Sequence, residues 1–239
     1  MKQDQTVPPE FEYILDNIRE ITYNVAVAKD KYRLESDIVN IMAVTKTVSP
    51  EKINFAVSQG ITLLGENRVQ EFLSKKDSYD QSASVHMIGH MQSNKVKYII
   101  NEVKMIQSVD NLKLAGEINR LALKNNKIMD VLLEVNIGEE LSKSGVSSNE
   151  LTELAKGISE FQNVRVKGLM AIPPIGADES VFAHMKDLFE NLKAADIPNI
   201  TMDTLSMGMS GDYELAIKHG SNLVRIGTKL FGARKYLEV

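Results

Sequence analysis

The fold of this chain is decided by residues 38–51. They read Ile38-Val39-Asn40-Ile41-Met42-Ala43-Val44-Thr45-Lys46-Thr47-Val48-Ser49-Pro50-Glu51. The apolar, β-branched run that ends at Val44 predicts a strand, and Ser49-Pro50 is typical of a helix start. A strand that leads through a short turn into a helix is the first half of a βα unit, and Lys46 lies in that turn.

The same alternation of short apolar runs and amphipathic helical patterns continues to about residue 226. No proline-rich linker or low-complexity tract interrupts it. Eight βα units in an undivided chain of 239 residues favour a closed barrel over an open doubly wound sheet. We therefore predict an α/β fold, a single (β/α)8 TIM barrel over residues 1–239. The predicted strands are 38–44, 61–64, 85–88, 105–107, 131–135, 166–170, 202–205 and 223–226.

The helical patterns carry recognisable start and stop signals. Apolar residues at the three-to-four spacing of one helical face predict an extra N-terminal helix at about residues 9–28, before the first strand. Glycines and capping residues set the other boundaries. The predicted boundaries are a helix from Ser49-Pro50 to Gly60, a cap at Asp110, a capping box of Ser147 and Glu150, and a helix from Ser210 to Gly220.

The composition excludes several classes of function. The chain has no cysteine, which rules out disulfides, Fe–S clusters, thiolate metal sites and cysteine nucleophiles. Its net charge of −4 comes from interspersed acids and bases, so nucleic acid is not an expected ligand. No stretch approaches the roughly 18 apolar residues of a membrane span, and residues 1–6 lack the apolar core of a secretory signal. We expect a soluble, cytoplasmic protein.

The carboxyl ends of the strands are where barrels of this kind place their active sites. Lys46 follows the first strand. An amine fixed in a pocket there can lose its proton and attack a carbonyl to form a Schiff base, although a solvated lysine is the commoner case. The other strand ends carry Gly65-Glu66-Asn67, Gly89-His90, Ser108-Val109-Asp110, Asn136, Ala171-Ile172-Pro173, residues 206–210 and residues 225–228.

The loops after the seventh and eighth strands are common phosphate sites in such barrels. Gly208 and Gly227 would let the backbone approach an anion. Ser206, Ser210 and Thr228 offer hydroxyl donors. Ordinary helix capping and packing explain these residues equally well.

Arg225 and two histidines bear on the same rim. Arg225 is expected to point into the barrel, where its acceptor is either a carboxylate on a neighbouring strand or a ring nitrogen of a bound cofactor. His86 and His90 are about 13 Å apart if the run between them is a strand, which disfavours a metal site. We expect His86 to be structural and His90 to lie at the pocket.

Taken together, the rim segments resemble the pyridoxal phosphate homeostasis protein family, also called proline synthase co-transcribed homologues. The match runs in order from about residue 38 to residue 234. The segments that carry it are Ala43-Val44-Thr45-Lys46, Gly65-Glu66-Asn67, Ile88-Gly89-His90-Met91-Gln92-Ser93-Asn94-Lys95, Ser142-Lys143-Ser144-Gly145, Gly168-Leu169-Met170, Leu205-Ser206-Met207-Gly208-Met209-Ser210 and Arg225-Ile226-Gly227-Thr228.

The resemblance implies a barrel like the N-terminal domain of alanine racemase, a fold-type III domain that binds pyridoxal 5′-phosphate (PLP). It implies that Lys46 holds PLP as an internal aldimine, which is a Schiff base, and that Arg225 faces the pyridine nitrogen. Asn67 and His90 are implied to line the pocket. The residues implied around the phosphate are Ser206, Gly208, Ser210, Gly227 and Thr228.

The same resemblance implies a carrier more than an enzyme. An arginine opposite the pyridine nitrogen weakens the ring as an electron sink, which disfavours most PLP catalysis but tolerates racemisation. Related racemases carry a C-terminal β-domain and act as dimers, whereas this chain ends soon after its eighth strand. We expect a monomer that buffers PLP or delivers it to PLP-dependent apo-enzymes, without robust catalytic activity. The alternatives are a minimal amino-acid racemase and a Schiff-base aldolase acting on a sugar phosphate.

Overall fold

The structure, a computed structural model, describes residues 7–140 and 143–233. In this part of the chain eight parallel strands form a closed barrel in sequence order, and the first strand pairs with the eighth. The predicted TIM barrel and all eight predicted strands are therefore confirmed. The strands are β1 (Asn40–Val44), β2 (Leu63–Glu66), β3 (Ser84–Met87), β4 (Met105–Val109), β5 (Met129–Val135), β6 (Val164–Ala171), β7 (Ile200–Ser206) and β8 (Leu223–Ile226).

Helices surround the barrel. The connection from β3 to β4 contains a 3₁₀ helix, Ser93–Tyr98, in place of an α-helix. Among the described residues, no helix is both long and apolar enough to cross a membrane. The α-helices are α1 (Glu12–Tyr32), α2 (Pro50–Ser58), α3 (Val69–Lys75), α4 (Leu112–Lys124), α5 (Leu151–Ser159), α6 (Glu179–Ala194), α7 (Tyr213–Lys218) and α8 (Thr228–Phe231).

The predicted N-terminal helix is present and longer than expected. A 3₁₀ turn at Pro9–Phe11 leads into α1, which runs to Tyr32 and packs against α7 and α8. Its inner face is formed by apolar side chains spaced three or four residues apart, as the sequence pattern indicates. These buried side chains are Ile14, Ile18, Ile21, Val25 and Ala28.

Two predicted helix starts are wrong by a few residues. Asn111, rather than Asp110, caps α4, because its side-chain oxygen accepts the Leu114 backbone N–H at 2.9 Å. The capping box of Ser147 and Glu150 does not form, because the Ser147 hydroxyl donates to the Glu150 carboxylate at 2.6 Å and α5 begins at the next residue.

The predicted helix start at Ser210 is also wrong. The helix α7 begins at Tyr213, three positions later, with Asp212 in the N-cap position. Ser210 is engaged elsewhere, because its hydroxyl accepts the Lys229 backbone N–H at 3.1 Å. The Asp212 carboxylate accepts the Met209 backbone N–H at 2.6 Å and so closes the loop that precedes α7.

The apolar core has two layers. The larger layer lies between the strands and the helices and includes Ala43. Neighbouring strand residues point to opposite faces, so Met42 points into the barrel. Met42 pairs with Arg225 across β1 and β8, which places Arg225 in the interior too. The small interior groups are Met42 with Ile88 and Leu223, and Met105 with Leu132 and Met170.

Gly168→Ala tests the irregular backbone of β6 at Gly168. Gly168 has a φ of +144° and lies at an irregularity in the pairing of β6 with β7. A Cβ atom there would collide with the Thr204 carbonyl oxygen. We therefore expect the substitution to lower the free energy of unfolding by more than about 2 kcal/mol, as measured by chemical denaturation.

Gly116→Ala is the matched control for this experiment. Gly116 lies within α4, where alanine is the better helix former, and its added Cβ would make an ordinary contact with Phe161 at 3.6 Å. We expect this variant to be as stable as the wild type or more stable. Equal destabilisation by both substitutions would contradict the explanation from backbone geometry.

Candidate functional site

Lys46 lies in a tight four-residue turn at the end of β1. The Val48 backbone N–H donates to the Thr45 carbonyl oxygen at 3.1 Å, which makes Lys46 and Thr47 the two central residues. Thr47 has a φ of +62°, a left-handed conformation that is unusual for a β-branched residue. The turn therefore needs support from its surroundings to hold the half-buried Lys46 in place.

That support is an ion cluster formed with α3. The Lys75 ammonium donates to the Thr45 carbonyl oxygen at 2.9 Å and to the Glu71 carboxylate at 2.8 Å. It also lies 3.1 Å from the Glu66 carboxylate. Glu71 accepts the Thr47 backbone N–H at 2.5 Å, and Glu66 accepts the Thr45 hydroxyl at 2.6 Å. Both neighbours of the rim lysine are thus fixed by one buried ammonium and two carboxylates.

Tyr79 completes the cluster. Its hydroxyl donates to Glu66 at 2.5 Å, and burial together with this carboxylate raises the pKa of Tyr79 well above its ordinary value. Burial also acts to raise the pKa of Glu71, but the hydrogen bonds from Lys75 and from the Thr47 amide hold it below its ordinary value. The tyrosine is therefore neutral and Glu71 ionised across the neutral pH range, which keeps these contacts constant.

A cavity of about 530 Å³ opens beside Lys46. Gly227 and Thr228 also line it, because β1 and β8 are hydrogen-bonded neighbours. A Cβ atom on Gly227 would come within 3.3 Å of the Val44 side chain, so glycine lets the two strand ends approach closely. The volume falls within the range of small-molecule sites. Three of the predicted site residues thus line a single cavity.

The loop after β7 is tied to the same region by the bond from the Lys229 backbone to Ser210. Ser210, Asp212 and Lys229 line a separate groove of about 760 Å³. Gly208 is buried with a φ of +91°, and a Cβ atom there would come within 2.5 Å of Ala216 on α7. Glycine at this position is therefore required by the backbone conformation and by packing.

A smaller cavity, of about 300 Å³, contains the other two predicted pocket residues. Asn67 and His90 line it together with Glu134 and Lys143. The Nδ1 atom of His90 lies 3.0 Å from the hydroxyl of Ser144. Within the described part of the chain, Oδ1 of Asn67 and Oε2 of Glu134 are buried and have no hydrogen-bond partner. Such acceptors favour a ligand that donates hydrogen bonds.

Glu134, at the end of β5, has an unusual environment. Burial, and to a smaller extent the nearby Asp110 carboxylate, raises the pKa of Glu134 to about 7, while Arg225 acts to lower it. The carboxyl group therefore changes its protonation state near neutral pH. It can donate a hydrogen bond when protonated and can only accept when ionised.

Arg225 is buried inside the barrel, with 3% of its surface exposed. Its guanidinium donates to the Ser206 hydroxyl and to the Ala171 carbonyl oxygen, each at 2.7 Å. The expected carboxylate acceptor is wrong for these two bonds, since both acceptors are uncharged. Burial lowers the pKa of Arg225 to about 10, which leaves the guanidinium charged at neutral pH.

Ser206 and His86 lie in the same interior layer. The Ser206 hydroxyl donates to the Gln107 side-chain oxygen at 2.8 Å, and the Gln107 nitrogen lies 2.9 Å from Nδ1 of His86. His86 is therefore a hydrogen-bonded structural residue, as the sequence indicates. Ser206 lines none of the three cavities described above.

Comparison with known proteins identifies the family. The family model of the alanine racemase N-terminal domain matches residues 17–235. A pyridoxal phosphate homeostasis protein of Aquifex aeolicus is 45% identical over 201 residues, which are 82% of this chain and 87% of the relative. The chain belongs to the pyridoxal phosphate homeostasis protein family. A member from Pasteurella multocida is 39% identical over 93% of this chain and 98% of its own length.

A solved structure has the same fold. The PipY protein of Synechococcus elongatus, in a structure with PLP bound, is 29% identical to this chain. The two superpose with a TM-score of 0.80 over 92% of this chain and 100% of that chain. The family resemblance carried by the rim segments is thereby confirmed.

The sequence locates the rim of this family member, but it does not identify Glu71 and Lys75 as residues that support it. Glu71 and Lys75 stand four residues apart, a spacing that favours ion pairs on helices. Only the fold reveals that this pair turns toward β1 and not toward solvent. Glu134 and Gln107 lie within strands and carry no local signal. Ser142 of the Ser142-Lys143-Ser144-Gly145 segment lies outside the described residues.

Lys75→Met tests the ion cluster that supports the turn. Removal of the ammonium leaves Glu66 and Glu71 without their shared cation, and Glu66 is fully buried. We expect a loss of roughly 3–5 kcal/mol in the free energy of unfolding, measured by chemical denaturation.

Lys76→Met is the control, because Lys76 is the next residue and pairs at the surface with Asp77 and Glu102. We expect it to leave the midpoint of unfolding close to that of the wild type. A comparable loss in both variants would mean that the Lys75 contacts do not stabilise the fold.

Glu134→Gln tests the raised pKa of Glu134. A carboxyl group whose pKa is about 7 in the folded state and 4.5 in the reference state stabilises the fold below pH 4.5 and loses that contribution as the pH rises through 7. The glutamine variant is therefore expected to gain stability relative to the wild type between pH 5 and pH 8, by roughly 2–3 kcal/mol. Denaturation at several pH values measures the gain.

Glu139→Gln provides the comparison, because Glu139 is an exposed residue in the loop that follows β5. Its stability difference from the wild type should stay flat over this pH range. A flat difference for Glu134→Gln as well would rule out the buried, proton-binding state of Glu134.

Proposed function

We propose that the protein binds PLP through a Schiff base on Lys46 and buffers or delivers it, as a PLP homeostasis protein. The observation that carries this proposal is the position of Lys46 in a supported turn, in one cavity with Gly227 and Thr228. The names of the relatives and the PLP-bound structure of PipY support it.

The chemistry of the described residues fits the three reactive parts of PLP. Lys46 supplies a primary amine for the aldehyde. The hydroxyls of Thr228 and Ser210 and the backbone at Gly227 supply donors for the phosphate. Arg225, which lines none of the three cavities, supplies a buried cation beneath them for the pyridine nitrogen. The cavity of about 530 Å³ is large enough for a ligand of this size.

PLP, when bound, supplies an aldehyde that condenses with a primary amine with loss of one water. The turn around Lys46 limits the directions from which its amine can approach. Because Lys75, Glu66 and Glu71 hold both neighbouring residues, the backbone that carries this amine is held in one conformation. The residues proposed to contact the phosphate are Gly227, Thr228 and Ser210, with Gly208 shaping the loop that carries Ser210.

Arg225, Asn67 and His90 are proposed to bind the ring. The acceptors of Arg225 within the barrel are a hydroxyl and a carbonyl, so its positive charge is not neutralised by a paired carboxylate. A cation in this state favours a ring nitrogen that keeps its lone pair. Ser206, predicted at the phosphate, is instead assigned to Arg225, which its hydroxyl contacts at 2.7 Å. Asn67 and His90 line the separate cavity of about 300 Å³.

A carrier agrees with the comparisons better than an enzyme. The relatives that match over most of this chain are named homeostasis proteins. Racemase activity is suggested by the name of the family model, which describes the shared domain. We further propose a single-domain, monomeric, cytoplasmic protein that meets PLP-dependent apo-enzymes transiently, and size-exclusion chromatography tests the monomer.

Lys46→Ala tests the covalent link. Purified wild-type protein mixed with PLP is expected to develop a visible absorption band, and the variant is expected to lack it. Reduction with borohydride followed by peptide mass analysis is expected to place the added mass of reduced PLP on Lys46. Attachment to Lys143 in the neighbouring cavity, or a variant that keeps the band, would contradict the assignment.

Amino-acid turnover distinguishes the carrier from the racemase. Proton exchange at Cα of several amino acids in deuterated water, followed by NMR, is expected to be no faster with the PLP-loaded protein than with free PLP. Rapid exchange that depends on Lys46 would contradict the carrier function and support the racemase function.

A further inference from the structure

A chain of hydrogen bonds crosses the interior of the barrel and ends on Arg225. Gln107 on β4 lies 2.9 Å from Nδ1 of His86 on β3 and accepts the Ser206 hydroxyl of β7 at 2.8 Å. Ser206 in turn accepts from the guanidinium of Arg225 on β8 at 2.7 Å. Gln107 and Ser206 have no exposed surface, and they are 99 positions apart in the sequence. This series of hydrogen bonds therefore forms only because the barrel closes.

The bond directions in this series follow from Arg225, which can only donate, and they require Nδ1 of His86 to accept. Burial lowers the pKa of His86 to about 4, so its ring is neutral near pH 7 and Nδ1 can accept a hydrogen bond. The Gln107 side-chain nitrogen donates to it, which turns the Gln107 oxygen toward Ser206. Ser206 donates its hydroxyl proton to that oxygen, which leaves a lone pair of Ser206 to accept from Arg225. With the amide reversed, this hydroxyl proton would lose its acceptor.

A second contact fixes the other arm of the guanidinium. The Ala171 carbonyl oxygen at the end of β6 accepts from Arg225 at 2.7 Å. The two acceptors come from neighbouring strands and differ in position, so together they determine the plane in which the guanidinium lies. Within the described ranges, no carboxylate lies within salt-bridge distance of this side chain. Glu134 and Asp212 influence it only through longer-range charge.

From this geometry we infer that Gln107 and Ser206 are positioning residues, which hold the Arg225 guanidinium in one orientation and leave its charge available to a ring nitrogen of the bound ligand. The inference rests on the proposed function, in which that nitrogen belongs to PLP. It assigns to Ser206 a role in recognising the ring, and it assigns a role to Gln107 and His86 although neither lines a cavity described above.

Ligands with and without the ring nitrogen test the inference. The probes are PLP and its analogue in which a C–H group replaces the pyridine nitrogen, with the aldehyde and the phosphate retained. Ser206→Ala removes the acceptor that orients Arg225, so it is expected to weaken the binding of PLP about tenfold, the effect of one misplaced charge-assisted hydrogen bond. Binding of the analogue is expected to change by less than about twofold, because the analogue makes no such bond.

Two further variants distinguish a loss of Arg225 orientation from a simple packing effect. Gln107→Met keeps the length of the side chain but removes both of its hydrogen bonds, and it is expected to reproduce the selective loss. Ser108→Ala is the matched control, because Ser108 is equally buried and its hydroxyl donates to the Gly89 carbonyl oxygen at 2.7 Å. We expect Ser108→Ala to lower the melting temperature as much as Ser206→Ala, without a difference between the two ligands.

A double-mutant cycle shows whether Ser206 acts through Arg225. In an Arg225→Met background, Ser206→Ala is expected to leave PLP affinity unchanged, because the group that it positions is gone. Additive losses, or equal weakening of both ligands by Ser206→Ala and Gln107→Met, would overturn the inference and leave these residues with a structural role. Failure of the wild-type protein to bind PLP would overturn the proposed function and this inference with it, and the wild type alone reveals that outcome.

Discussion

The position of the rim lysine depends on the ammonium of a second lysine, Lys75. A buried ammonium is tolerated only where acceptors match its donors, and here Thr45, Glu66 and Glu71 supply them. These acceptors follow β1, end β2 and lie on α3, so one cation joins the ends of two neighbouring strands to a helix. The backbone of Thr47 is in an unfavourable conformation, which the turn alone would not maintain. Tertiary contacts, rather than the turn sequence, therefore fix the backbone on both sides of Lys46.

Barrel closure supplies the other half of the site. The pairing of β1 with β8 brings Lys46 next to Gly227 and Thr228, which come from the opposite end of the strand series. The same closure places Ser206 within reach of Gln107, across the interior, and so creates the layer that holds Arg225. Barrel closure thus brings together an amine, a loop suited to an anion and a buried cation.

The sequence predicts the fold better than it predicts the site. The strands are visible because each is an apolar run bounded by turn residues, and a single pattern covers the whole barrel. Lys46 and Gly227 are visible because rim residues interrupt that pattern. The role of Gln107 cannot be predicted from the sequence, because it depends on a hydrogen bond with Ser206, which is 99 positions away. The prediction of a helix start at Ser210 fails for the same reason, because the Ser210 hydroxyl accepts the backbone amide of Lys229 in α8.

The distribution of burial bears on how a ligand would enter and leave. Arg225, Ser206 and Gln107 have almost no exposed surface, so the groups proposed to recognise the ring cannot rearrange without disturbing the core. Lys46 is half-buried, and Thr228 and His90 are exposed, so the groups around the proposed covalent link stand at the solvent boundary. Water is both the product of Schiff-base formation and the reactant that reverses it. A link that water can reach, set above a rigid recognition layer, favours selective but reversible binding, which is what delivery of a cofactor requires.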